Sequence, residues 1–115
     1  MAKLNYLPYT GEEYHKEMDE WHYSDTSKNN VDKSTTYACV QTDYDQDIYE
    51  FTRLVGLVKR NVFNHRDRTV FKVTLGDVTV LYDTIDGGKF HRVFIPMDQL
   101  SNVPGNFEFI DFNLV

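Results

Sequence analysis

Val70-Phe71-Lys72-Val73-Thr74-Leu75-Gly76-Asp77-Val78-Thr79-Val80-Leu81-Tyr82 is the stretch whose reading decides the fold. On either side of Gly76-Asp77 it is rich in β-branched and aromatic residues that alternate in polarity, which predicts two strands joined by a two-residue loop. Glycine at the first central position suits a type II′ turn, which matches the twist of the strands and pairs Leu75 with Val78. Side-chain alternation then places Phe71, Val73 and Leu75 on one face with Val78, Val80 and Tyr82, and Lys72, Thr74 and Thr79 on the other. The first set is the expected core face. Asp86-Gly87-Gly88 reads as a turn into a third strand, Phe90 to Ile95, ended by Pro96, which has no N–H for a ladder. A three-stranded meander with one apolar face still needs a covering layer, so the rest of the chain must supply it.

Residues 1–10, with Tyr6, Pro8 and Tyr9, read as an extended lead-in. A helix is expected from Thr10, a suitable N-cap with Glu13 three residues on as in a capping box, to about Tyr23. Glu12, Glu13 and Glu17 favour the positive end of its dipole. Tyr14, Met18 and Trp21 form a weak apolar stripe on it. Residues 24–34 are turn-formers throughout and predict a flexible loop. Residues 35–42 predict a strand that adds to the meander. Residues 48–63 fit two templates. As a helix, Ile48, Phe51, Leu54, Val55, Val58 and Val62 share a face, with Asp47 and Glu50 as a second capping box. As a strand, Leu57 to Phe63 is β-rich, with a bend at Gly56. The helix is preferred. Val103-Pro104-Gly105 reads as a turn, and Phe107 to Phe112 as a last strand. The expectation is a single α+β domain over residues 1–115. Its mostly antiparallel sheet, built around residues 68–95, carries an N-terminal helix and a second helix packed on it.

Composition narrows the class. At 115 residues the chain suits one domain, long enough to bury about two-thirds of the surface its unfolded form exposes. Eight tyrosines make up part of the 41% hydrophobic fraction, so strictly aliphatic core material is modest. Cys39 is the single cysteine and permits no internal disulfide; neither a glycosylation sequon nor an apolar leader is present. The apolar run Leu54 to Val58 is far short of the roughly 20 residues that span a bilayer. A soluble protein in a reducing cytoplasm is expected.

The net charge of −6 conceals a division. Residues 1–50 carry eleven acids against four lysines, −7, while residues 51–115 carry seven acids against eight bases, +1. Arg53, Lys59, Arg60, Arg66, Arg68 and Lys72 are opposed locally by Asp67 alone. Such asymmetry bears on partners and association rates rather than on fold. The simplest account is that the halves neutralise one another.

No motif specifies a reaction. His15, Asp19 and His22 fall at i, i+4 and i+7, a spacing that permits a metal site, but on a short acidic helix a solvated face explains them as well. Asp43, Asp45 and Asp47 resemble the start of a calcium loop, yet Ile48 stands where glycine is required and Leu54 where glutamate is, so an EF-hand is rejected. Cys39 fits a small buried residue in a strand better than a nucleophile. There is no Gly-x-Ser-x-Gly elbow and no phosphate-cradling glycine loop. The expectation is a protein that is not an enzyme and that uses neither cofactor nor metal.

Two binding modes follow from the charge layout. In the preferred one, the acidic, aromatic N-terminal half docks on a protein with a basic, nucleic-acid-handling surface. Its contact residues are Glu12, Glu13, Tyr14, Glu17, Asp19, Glu20 and Trp21 on the helix, and Asp43, Tyr44, Asp45 and Asp47 beyond it. If the second group were extended, alternate carboxylates would recur about every 6.6 Å along one face and imitate a phosphate backbone. In character such a chain is similar to the small inhibitors that phages and mobile elements direct against defence enzymes, acting in the host cytoplasm as DNA mimics. The alternative is an OB-like single-stranded nucleic-acid binder that uses the basic segment 59–72, with Phe63 and His65 stacking on bases. The acidic half opposes it, and a helix that an OB barrel needs between its third and fourth strands is replaced by the turn at residues 83–89.

Overall fold

The predicted meander is present, and three further strands extend it into one sheet. The structure, a computed structural model, describes residues 2–42, 69–85 and 90–112. Six strands, β1 (Ala2–Thr10), β2 (Thr36–Thr42), β3 (Thr69–Leu75), β4 (Val78–Ile85), β5 (Phe90–Pro96) and β6 (Phe107–Asp111), lie in the order β3-β4-β5-β2-β1-β6. Four neighbouring pairs are antiparallel, and β1 and β6 run parallel. The fold is α+β with an N-terminal helix, α1 (Gly11–Glu20).

The β3–β4 hairpin has the expected register, with Leu75 opposite Val78, Val73 opposite Val80 and Phe71 opposite Tyr82. Positive φ is confined to Gly76 (61°) in its two-residue loop, as a type II′ turn requires. A β4–β5 hairpin follows, and β2 adds to β5 as the fourth strand.

Residues 2–10 depart from expectation. They form β1, an integral strand of the sheet, and not merely a lead-in. Residues 2–6 pair with β6 and residues 7–10 pair with β2, so Pro8 has only one strand neighbour and sits at an edge, where proline fits. Residues 24–34 also differ. Asp25–Asn30 form a short helix, α2, capped by Ser24, whose hydroxyl accepts the Ser27 N–H at 3.2 Å. Tertiary bonds override the turn propensity there: the buried Ser27 hydroxyl accepts from Val70 N at 2.9 Å, and Asn30 donates to Val70 O at 3.1 Å. At Val70, then, both backbone groups of β3, an end strand among the described residues, are satisfied by α2 side chains. The expected second helix over residues 48–63, and its strand alternative, lie outside the described residues.

Alternation sorts the sheet into two cores. One face gathers Leu4, Val40, Leu75, Val78, Val80, Tyr82, Val93 and Ile95, with Phe71 and Val73 partly buried beside them, which is the face expected from sequence. The 3₁₀ helix Met97–Asn102 and the loop after it bring Leu100 and Val103 onto this cluster. The opposite face carries Tyr37, Cys39, Val70, Leu81 and Phe94 under Tyr14, Met18, Tyr23 and Val31 from the helical layer. From Val80 to Asp83 on β4 and from Arg92 to Ile95 on β5 both faces are therefore buried.

Candidate partner-binding surface

Thr10 starts α1 as the sequence predicts. Its hydroxyl accepts from Glu13 N at 3.1 Å and lies 3.0 Å from the Glu13 carboxylate, to which it donates. The helix ends three residues earlier than expected. Tyr23 N–H reaches back to Met18 O at 2.9 Å around His22, which adopts a left-handed φ of 57°. This six-to-one closure brings Tyr23 and Met18 into the same apolar cluster, the contact that usually accompanies it. Trp21 is left 51% exposed at the tip.

What fastens α1 to the sheet is a buried polar network. Asp83 on β4 and Arg92 on β5 are cross-strand partners, and their side chains meet at 2.6 Å. Tyr14 donates to Asp83 at 2.7 Å and Tyr23 at 3.1 Å, while Arg92 extends to Glu17 through two bonds of 3.0 and 3.1 Å. The guanidinium also lies over the rings of Tyr14 and Phe94, 5.6 and 5.2 Å from their centroids. Asp83 is fully buried and Arg92 is 7% exposed, with its Nε buried and without a bond.

Burial pushes the Asp83 carboxyl above the ordinary value of 3.8, against the opposing pull of Arg92 and the two phenols. Burial works against the charge of Arg92 too, but the Glu17 hydrogen bond and two carboxylates outweigh it and raise its pKa. Both shifts are upward, which favours the charged form of Arg92, drawn on by two anions, and disfavours that of Asp83, which shares its cation with Glu17.

Desolvation also raises four phenols and the thiol: Tyr14, Tyr23 and Tyr82 go well up, and Tyr9 and Cys39 rise to about 12 from 10.0 and 9.0. Groups raised in the folded state contribute stability that is complete below their unfolded values and is lost as pH climbs through the folded ones. Urea midpoints should accordingly be level with respect to these groups near neutrality and fall progressively above pH 9.0 to 10.0. A midpoint that held steady as pH approached 12 would contradict the burial of these groups.

The residues expected at the interface divide into those the fold uses and those it leaves outward. Tyr14, expected as a contact residue, is fully buried in the network and cannot touch a partner. Glu17 is half-buried against Arg92, and Asp19 pairs with Lys28 at 2.8 Å. Mutual neutralisation of the two halves therefore occurs at Glu17. Glu12, Glu13 and Glu20 are exposed, and no cation among the described residues pairs with them. Lys16 is exposed on the same helix. Asp43, Tyr44, Asp45 and Asp47 lie outside the described residues. Of the spacing that permitted a metal, His15 Nε2 bonds to Val31 O at 2.7 Å and Asp19 is held by Lys28. The described residues contain no cluster of three metal-donor side chains.

Sequence reasoning passed over Asp83 and Arg92. From sequence Asp83 falls in the turn at residues 83–89, whereas β4 runs on to Ile85, so that Ile85 faces Phe90 and Asp83 faces Arg92. Two opposite charges at a cross-strand position, inside otherwise apolar strands, mark a paired buried site.

Comparison of the chain with family models, with curated proteins and with solved structures finds no match in any of the three.

Proposed function

We propose that the protein acts by binding and not by catalysis, presenting the outer side of α1 to a basic, nucleic-acid-handling surface of another protein and so inhibiting it. The observation that carries this reading is the division of labour on α1. Glu17 and Tyr14 are consumed inward, locking the helix to the sheet, while Glu12 and Glu13 at its start and Glu20 at its end, next to the half-exposed Trp21, stay solvated. A helix fixed in this way presents its charges without further ordering cost on association. Carboxylates along a fixed helix that ends in an exposed aromatic residue give steering and a hot spot together. The buried Cys39 and a helical layer with no span long and apolar enough to cross a membrane among the described residues accord with action in a cytoplasm, the host's if the chain is phage-encoded.

The test is capture of partners from a bacterial lysate, with and without nuclease. Glu17 belongs to the internal network, so the charge-reversed variant is Glu12→Lys, Glu13→Lys and Glu20→Lys together. The wild type should retain a protein at near-equal amount after nuclease treatment, and the variant should bind it at least about tenfold more weakly. Equal capture by the variant, or recovery of nucleic acid with every protein lost on nuclease treatment, would overturn the reading. The second result would favour the basic segment 59–72, whose residues 59–68 lie outside the described residues.

A further inference from the structure

Among the described residues the helical layer consists of α1 and α2, ten and six residues long, and where β5 passes into the 3₁₀ helix only Asn30 of that layer borders their face of the sheet. A groove of about 670 Å³ occupies this place, a size within the span of ligand sites, roughly 300–1,000 Å³. Its floor is Lys72 on β3 with Thr79 and Leu81 on β4. One wall is the connection from α2 to β2, with Asp32; the other is the 3₁₀ helix, with Asp98 and Gln99. Asp32 is kept charged because its carboxylate accepts from the Ser34 hydroxyl at 2.7 Å and the Ser34 N–H at 2.9 Å, which lower its pKa.

We propose that this groove binds an extended, arginine- or lysine-bearing peptide segment of the partner protein. The inference rests on the protein-partner reading above and names the part of the partner that is held. Carboxylates on two walls suit cationic side chains, and would repel a phosphate backbone. Lys72 and the Thr79 hydroxyl on the floor supply donors for the carbonyls of an extended main chain. Tyr37, Leu81, Pro96 and Met97 add apolar surface to the lining, which the aliphatic stems of arginine and lysine side chains can cover. The groove is also continuous with the acidic side of α1. Thr35 O accepts the Gly11 N–H at 2.8 Å, and the Asp32 carbonyl abuts Gly11, directly before the exposed Glu12 and Glu13. A basic surface seated on α1 would thus run on into the groove, with Lys33 as the one exposed cation on that connection.

Fluorescence anisotropy on the full chain tests this, using a labelled Arg-Ser-Arg-Ser-Arg peptide, its glutamate counterpart and an oligothymidine. The arginine peptide should bind saturably and the other two should not. Asp32→Asn with Asp98→Asn should weaken binding at least about tenfold, equal to about 1.4 kcal/mol. Thr79→Arg, which adds a second cation beside Lys72 and fills the groove from an exposed position, should do the same. Glu12→Gln, Glu13→Gln and Glu20→Gln together should leave the peptide affinity within about twofold, because a single short peptide would sit in the groove. The proposal is overturned if the arginine peptide fails to bind, if the groove variants bind it as well as wild type, or if the α1 variant alone abolishes binding. It is likewise overturned if the oligothymidine binds in place of the peptide. A groove that fails this test while lysate capture still depends on Glu12, Glu13 and Glu20 would remove this inference and leave the α1 interface standing.

Discussion

Arg92→Met should lower folding stability by about 3–5 kcal/mol, the usual cost of removing one member of a buried ion pair and stranding the other. Typical stabilities are about 5–15 kcal/mol, so such a loss is a large share of the total. Methionine keeps most of the arginine's volume over Tyr14 and Phe94, which isolates the charge from the packing. The stranded group is Asp83, fully buried, with only the hydroxyls of Tyr14 and Tyr23 left to it. Glu17 loses its partner as well, so the outer turn of α1 is released. Urea unfolding measures the cost, and amide exchange along Tyr14 to Glu20 locates it. The double variant Asp83→Leu with Arg92→Met should lose clearly less than the two singles added together, because no lone charge remains. The pH dependence has a definite sign. Asp83 is already raised above 3.8 in the folded protein, and without Arg92 it rises further. A carboxyl raised on folding contributes stability that is present below its unfolded pKa and disappears as pH rises through the folded value. The deficit of Arg92→Met relative to wild type should thus shrink as pH falls towards 3.8 and widen at neutrality. A deficit below about 1 kcal/mol, in the range of an exposed pair, would show that the network does not hold α1.

The parts of this architecture legible in the sequence are those set by local patterns. Gly76-Asp77 between alternating runs determines a turn type, the turn determines a register, and the register determines which residues of β3 and β4 share a face. Thr10 and Glu13 likewise announce the start of α1 through bonds that close within four residues. Features that depend on distant partners were not legible. Beyond the Ser24 cap, little local in Ser24 to Asn30 favours a helix over a turn; what anchors α2 is Val70, whose N–H and carbonyl bond to Ser27 and Asn30 from 40 or more positions away. The membership of β1 in the sheet depends on β2 and on β6, both distant in sequence, and a stretch that contains Pro8 gives weak warning of it. The candidate surface follows the same division. Acidity at Glu12, Glu13 and Glu20 is a property of composition and can be read directly, whereas the withdrawal of Tyr14 and Glu17 into the network requires knowing that Asp83 and Arg92 lie beneath them.

Gly11→Ala tests the other contact that positions α1, and there local and tertiary rules predict opposite signs. By helix propensity, alanine in place of glycine should stabilise by up to about 1 kcal/mol. The surroundings of Gly11 reverse this. A β-carbon there would lie 1.9 Å from the Asp32 carbonyl oxygen, 2.7 Å from its carbon and 2.8 Å from Lys33 Cα, all of them main-chain atoms that cannot rotate away. Either the first turn of α1 lifts off, losing the 2.8 Å bond from Gly11 N–H to Thr35 O, or the connection between α2 and β2 moves and draws Tyr37 with it, whose hydroxyl accepts from Asp32 N. Overpacking of this kind should destabilise the protein by about 3 kcal/mol, at the upper end of such effects. Gly76→Ala serves as the comparison. Its β-carbon would meet nothing nearer than Pro104 at 3.7 Å, so only the positive φ is strained, at about 1–2 kcal/mol. Chemical denaturation of both variants should rank Gly11→Ala as clearly the more damaging. If Gly11→Ala proved neutral or stabilising, the close crossing of the Asp32 main chain over the start of α1 would be wrong. The continuity between the acidic helix and the groove would fall with it, because that crossing is what joins them.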